Sequence, residues 1–100
     1  MLKIKKDVSL HKYRVFETNE FINCLEKLPK REKDQVEKKL LNYVYPQIKN
    51  EPHFGINIKK LYGYYPDTWR YRIGHYRIFY TIDETIVNII SIENRKDAYN

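Results

Sequence analysis

The residues best suited to chemistry lie in twelve consecutive positions, Trp69 to Tyr80, which read WRYRIGHYRIFY. Three arginines, Arg70, Arg72 and Arg77, are interleaved there with five aromatic side chains. A guanidinium keeps its charge at any ordinary pH and presents a planar fork of donors. It is therefore a poor general base and a strong phosphate binder. Charges gathered on so short a stretch repel one another, and such clusters are usually offset by an anion. If the ligand is RNA, cleavage without a metal needs three things. A base takes the proton from a 2′-hydroxyl, cations stabilise the pentavalent phosphate, and an acid protonates the departing 5′-oxygen. Attack by the 2′-oxygen leaves a 2′,3′-cyclic phosphate and consumes no water. The arginines suit the second of these roles.

The stretch reads as two strands joined by a tight turn at Gly74-His75. Strand side chains alternate between faces, so Arg70 and Arg72 share one face and Trp69, Tyr71 and Ile73 the other. Tyr71, Tyr76 and Tyr80 read as sheet-packing residues more than as stacking platforms. The rest of the chain must hold this hairpin. Tyr13-Arg14-Val15-Phe16 reads as a first strand, after which Thr18 or Asn19 can cap a helix. Phe21, Ile22, Leu25 and Leu28 recur at helical spacing, and Cys24 fits there as a small apolar residue. Pro29 separates this helix from a second one, Lys30 to about Tyr45, with Val36, Leu40, Tyr43 and Val44 as its inner stripe. Pro46 ends or kinks it. Residues 49–54 form a polar loop, Gly55 marks the turn into a strand from Ile56 to Leu61, and residues 62–67 form another loop. The hairpin's second strand runs to Ile82. Asp83-Glu84 makes a two-residue turn, and Thr85 to Ile92 is the last strand. Strict alternation places Ile86, Ile90 and Ile92 on one face of that strand, and Val87 and Ile89 on the other.

The expected fold is α+β. An N-terminal strand and an αα-hairpin pack on one face of an antiparallel sheet of about four to five strands, and the other face carries the arginines. The expected organisation is one domain over residues 1–100, in which residues 1–12 are a flexible arm or an extra edge strand.

Composition narrows the partners. A net charge of +6 on 100 residues points to a polyanion, although a basic surface also serves solubility. The charge is concentrated: Ile56 to Ile82 holds Lys59, Lys60, Arg70, Arg72 and Arg77 against Asp67 alone. A single cysteine rules out an internal disulfide. The three histidines, His11, His53 and His75, lack ligand spacing, so no metal is expected. No apolar run approaches membrane-spanning length and the basic start lacks an apolar h-region, so a reducing cytoplasm is the expected compartment.

Three pieces carry a family likeness: KKLYG at Lys59 to Gly63, WRYRIGHYRIFY, and NRKDAY at Asn94 to Tyr99. In this order and spacing they resemble the RelE/ParE toxin superfamily of type II toxin–antitoxin systems, from about Tyr13 to Tyr99. The resemblance implies a RelE-like fold and a toxin that inhibits translation. Its implied activity is that of a metal-independent endoribonuclease, with no cofactor, cleaving messenger RNA in the ribosomal A site. The matching site positions are Arg70, Arg72, Arg77, Arg95 and Tyr99. Arg77 and Arg95 would stabilise phosphate, and Tyr99 would stack on a base or move a proton. Lys59, Lys60 and His75 join them as RNA-binding candidates; the two lysines are adjacent, so at most one faces the arginines. Some relatives carry lysine where this chain has Arg70 and Arg72, which leaves Tyr99, Glu93 and His75 as candidates for the base. The implied partners are the 70S ribosome with its messenger RNA and a cognate antitoxin. Phe79, with Val87 and Ile89, would form an apolar second face for that antitoxin to cover.

Plainer readings compete with these. Arg70 and Arg72 could be solvated, Arg77 could anchor the turn, and Arg95 could pair with Glu93 or Asp97. On the same fold, a ParE-like toxin would bind and poison DNA gyrase without nuclease activity. An inactive relative would keep antitoxin binding alone.

Overall fold

The computed structural model describes residues 12–94. The basic lead at the N-terminus, Arg95 and Tyr99 lie outside the described residues.

Two helical segments cover one face of a five-stranded sheet. The strands are β1 (Arg14–Glu17), β2 (Ile58–Lys60), β3 (Thr68–Ile73), β4 (Tyr76–Asp83) and β5 (Ile86–Asn94), in the spatial order β1-β5-β4-β3-β2. From β2 to β5 the chain makes an antiparallel meander. β1 joins β5 in parallel, which a connection through helices makes possible. The α+β fold expected from the sequence is thus the fold found, with one parallel pairing at the edge.

Helix α1 (Asn19–Glu26) starts at Thr18, whose hydroxyl accepts from the Phe21 amide at 3.2 Å. The same hydroxyl donates to the Ile89 carbonyl at 2.7 Å, so the cap also ties α1 to β5. Phe21 and Leu25 are buried, Cys24 and Leu28 pack against the core, and Ile22 turns outward.

The second helical segment is longer than its sequence suggests. Helix α2 (Lys30–Lys39) runs into a π-helical turn at Leu40–Val44, and α3 (Tyr45–Asn50) continues past Pro46. Proline lacks the amide that an α-helix would need and its ring crowds the preceding turn. Here the wide turn absorbs the mismatch: the Tyr45 amide donates to the Leu40 carbonyl, five residues back. The turn also shifts the buried stripe by one position. Val36, Leu40 and Val44 lead into Tyr45 and Ile48, and Tyr43, expected inside, is 68% exposed.

Three strand details depart from simple periodicity. β2 holds three residues, because Asn57 adopts a positive φ of 75° immediately before it. The β4–β5 turn is Glu84-Thr85, one residue later than expected, with Glu84 supplying the positive φ. A bulge shifts the register between Phe79 and Tyr80, which pair with Ser91 and Ile89 and leave Ile90 between them. Val87, Ile89 and Ile92 therefore all face the helices, and Ile90 turns the other way.

The helix-facing side is an aromatic core whose hydroxyls are satisfied. Trp69 stacks on Tyr80 with ring centres 6.4 Å apart. Tyr80 donates to the Pro52 carbonyl at 2.7 Å, Tyr71 to Gln47 at 2.7 Å, Tyr45 to Glu17 at 2.5 Å, and Tyr76 to Glu32. These bonds fix β3 and β4 against the helical layer, and with them the direction of every alternate side chain on the open face.

Candidate nucleic-acid interface

The open face collects the arginines as the alternation requires. Register pairs Lys59 with Arg70, Arg70 with Phe79, Arg72 with Arg77, and Arg77 with Glu93. Lys59, Arg70, Arg72 and Arg77 therefore share one surface, away from the helices. Lys60 points the other way. It lies 3.2 Å from Asp67 and 5.6 Å from the centre of the Trp69 ring, so it does not belong to the arginine group. His75 is exposed in the β3–β4 turn and is not among the residues that line the cleft beside Arg77.

That cleft, of about 470 Å³, lies over β4 and β5. Phe79 and Ile90 form an apolar floor with Leu61, and Tyr64 and Pro66 make a wall from the loop before β3. Thr68, Thr81 and Ser91 offer hydroxyls, while Arg77 and Glu93 close one end. The apolar patch anticipated around Phe79 thus exists with different members, because the bulge sends Val87 and Ile89 into the core and Ile90 outward.

Arg77 is mostly covered, with 23% of its side chain accessible. Its guanidinium lies 5.8 Å from the Phe79 ring centre and 3.9 Å from a Glu93 oxygen, so the ring and the carboxylate hold it at the cleft edge. Glu93 is the sole carboxylate lining the cleft among the described residues, and it is half exposed. Arg70 donates from Nη1 to the Asn57 carbonyl at 3.0 Å, an oxygen that also accepts from the Arg72 amide at 3.0 Å. The bent backbone at Asn57 thereby steers Arg70 along the surface. Among the described residues, no carboxylate lies within 4.0 Å of Arg72.

In chemical terms, this surface offers fixed guanidiniums for an anion, one carboxylate beside them, and an aromatic-walled slot that suits a planar apolar group. Among the described residues no three His, Cys, Asp or Glu side chains gather as a metal site. No helix there is long and apolar enough to cross a membrane.

Tyr64 is the site residue that sequence reading left in a bare loop. The signal was present in the run YGYYP between β2 and β3, where Tyr62, Tyr64 and Tyr65 are all strongly exposed. Tyrosines left exposed beside a basic hairpin offer a stacking face with a polar tip.

Comparison with known proteins adds the following. Residues 15–99 match the family described as the ParE toxin of type II toxin–antitoxin systems, parDE. No curated protein matches the sequence. Among solved structures, the RelBE2 toxin–antitoxin complex from Mycobacterium tuberculosis includes a chain 29% identical, with a TM-score of 0.65, covering 84% of this chain and 99% of that one. The archaeal RelE–RelB complex from Pyrococcus horikoshii gives 24% identity and a TM-score of 0.62, covering 84% and 96%. YafQ from Escherichia coli gives 12% identity and 0.63, covering 88% and 99%. The last two likenesses speak to the fold.

Proposed function

This chain belongs to the ParE toxin family of type II toxin–antitoxin systems, within the wider RelE/ParE superfamily, and within that superfamily we propose that it is a toxin of RelE type, an endoribonuclease that cleaves messenger RNA in the ribosomal A site. The observation that carries the reading is the alignment of Lys59, Arg70, Arg72 and Arg77 on one sheet face, beside a cleft that holds a single carboxylate among the described residues. Two arginines set directly opposite each other call for an anionic ligand, and phosphate is one that their planar forks fit.

In this reading, the messenger RNA backbone crosses the open face and the scissile phosphate sits at Arg77. The 2′-hydroxyl loses its proton to a base, its oxygen attacks phosphorus, and the 5′-oxygen leaves with a proton from an acid. Arg77, with Arg95, stabilises the added charge on the pentavalent phosphate. Glu93 is the described residue best placed to act as the base, since it lines the cleft next to Arg77. Tyr99 supplies base stacking or takes part in proton transfer, as the resemblance implies. The ribosome holds the codon in reactive geometry, which lets so small a site suffice. A cognate antitoxin is the proposed protein partner, and the apolar cleft around Phe79 and Ile90 is the surface it would cover.

The decisive experiment maps messenger RNA 5′ ends on translating ribosomes after induction, with Arg77→Ala as control. New ends at a fixed place in the A-site codon, absent in the control, support the nuclease. Growth arrest without new ends ends this reading.

A second reading has its own support, since the matched family description is that of ParE. A ParE-like chain would poison DNA gyrase by a protein–protein contact. Reversing the charge at Arg77 separates the two: it abolishes RNA cleavage and need not disturb gyrase.

A further inference from the structure

Around the β2 edge from the main cleft lies a second, shallow one of about 270 Å³. Lys39, Tyr43, Asn57, Arg72 and Gly74 line it. It exists because of two local departures from regularity. The π-helical turn pushes Tyr43 outward, leaving it 68% exposed instead of in the core stripe. β2 starts late, at Ile58, so the Arg72–Gly74 end of β3 lies open beside the helix. The two sides come close. A Cβ placed on Gly74 would lie 3.9 Å from the Lys39 ammonium, so the lysine rests against the hairpin turn.

No acidic side chain among the described residues lines this cleft. Along α2, Glu32 accepts from Tyr76, Asp34 pairs with Lys30, Lys33 pairs with Glu26, and Glu37 acts electrostatically on Lys33 and Tyr45. Among the described residues, neither Lys39 nor Arg72 has a carboxylate within 4.0 Å. Two such cations flanking an exposed tyrosine offer a phosphate site and a stacking face together, which is what single-stranded nucleic acid requires. Arg72 is also the cross-strand partner of Arg77, so the two clefts meet at that pair.

We propose that this cleft is a second subsite for the RNA strand bound at Arg77, taking a phosphate between Lys39 and Arg72 and stacking a nucleobase on Tyr43. The strand leaves the reacting phosphate, passes the Arg77–Arg72 pair and turns around the β2 edge toward the helix. The subsite rests on the RNA reading above and extends it to a nucleotide flanking the cleaved one. A phosphate contact and a stacking face add affinity and direction to the strand.

The test uses 2′-O-methylated single-stranded RNA, which cannot be cleaved, in two lengths. Binding of the full chain is measured by fluorescence anisotropy to a probe of about eight nucleotides and to one of about three. Lys39→Glu and Tyr43→Ala are compared with wild type, with Lys39→Gln as a milder second variant. Both side chains are exposed, and a matched thermal melt confirms the fold. The subsite requires each variant to weaken binding of the longer probe by about fivefold or more while leaving the shorter one unchanged. Lys39→Glu should also reduce the salt slope of binding by about 0.7, the value for one lost phosphate contact on a single strand.

Unchanged binding of the longer probe in both variants, with Arg77→Ala weakening both probes, overturns the subsite and leaves the RNA reading standing. A wild-type chain that binds neither probe overturns the subsite, while the RNA reading is decided by the 5′ ends mapped on ribosomes. Loss confined to binding of whole ribosomes overturns the assignment to the substrate strand in favour of ribosomal RNA.

Discussion

Arg72 and Arg77 stand directly opposite each other across the β3–β4 ladder, two guanidiniums on the same face in register. Like charges so placed destabilise a sheet, by roughly 0.2–1 kcal/mol. Removing one should therefore stabilise the fold while harming function. Arg72→Thr, which also favours a strand, is expected to gain about 0.5 kcal/mol in urea denaturation and to lose RNA affinity. A variant that loses both stability and affinity would mean that Arg72 serves the fold, contrary to the assignment made here.

The two adjacent lysines of β2 should behave differently. Lys59 shares the arginine face, while Lys60 pairs with Asp67 on an exposed edge. Lys59→Ala should weaken RNA binding several-fold and flatten its salt dependence. Lys60→Ala should change binding little and stability by less than about 1 kcal/mol, as for most exposed ion pairs. Equal losses of affinity would contradict the strand register.

Alkali should unfold this protein through its buried tyrosines. Burial, helped by hydrogen bonding to Glu17, raises the hydroxyl of Tyr45 above the ordinary tyrosine range. Burial, with the neighbouring Tyr71 and Glu51, does the same for Tyr80. Both stay neutral in the fold, whereas the unfolded chain ionises them near pH 10. Their contribution is complete below about pH 10 and is lost as pH rises beyond it toward the folded values. The fluorescence of Trp69, the one tryptophan, reports the transition because it stacks on Tyr80. Urea midpoints measured between about pH 8 and pH 11 should fall steeply at the upper end. Tyr80→Phe should flatten that fall and cost about 1 kcal/mol at neutral pH, since the Pro52 carbonyl loses its donor. A fall as steep in a Tyr45→Phe, Tyr80→Phe double variant would assign the effect elsewhere.

Thr18 does two jobs with one oxygen, capping α1 and bonding to β5. Thr18→Ala should cost about 1–2 kcal/mol. Thr18→Ser, which keeps the hydroxyl, should recover most of it. If serine fares no better than alanine, the methyl packing matters and the bonds do not.

What could be read in advance was what periodicity and punctuation encode. The order of strand, two helices and meander followed from apolar spacing and from Pro29, Gly55 and Gly74. The placement of Arg70, Arg72 and Arg77 followed from alternation within a hairpin whose turn was visible as Gly74-His75. What escaped was every place where the backbone breaks its own period. The bulge at Ile90 reverses the faces of half of β5, so Val87 and Ile89 moved from the expected open patch into the core. The π-helical turn carries the helix through Pro46 and turns Tyr43 out. A single added residue or a wider turn has no compositional mark, because its neighbours remain ordinary strand and helix formers. The parallel β1–β5 pairing escaped for another reason: it joins segments with no local signal for each other.

That pairing also sets a clock on synthesis. Among the described residues β1 is the first strand and its sheet neighbour β5 is the last, and the Thr18–Ile89 bond spans 71 positions. A growing chain can assemble its helices and its central hairpin, but it cannot seat β1 until β5 has left the ribosome. Contacts of such long range form late and slowly. A chain proposed to disable translation therefore keeps its five-stranded sheet unfinished until β5 has been made.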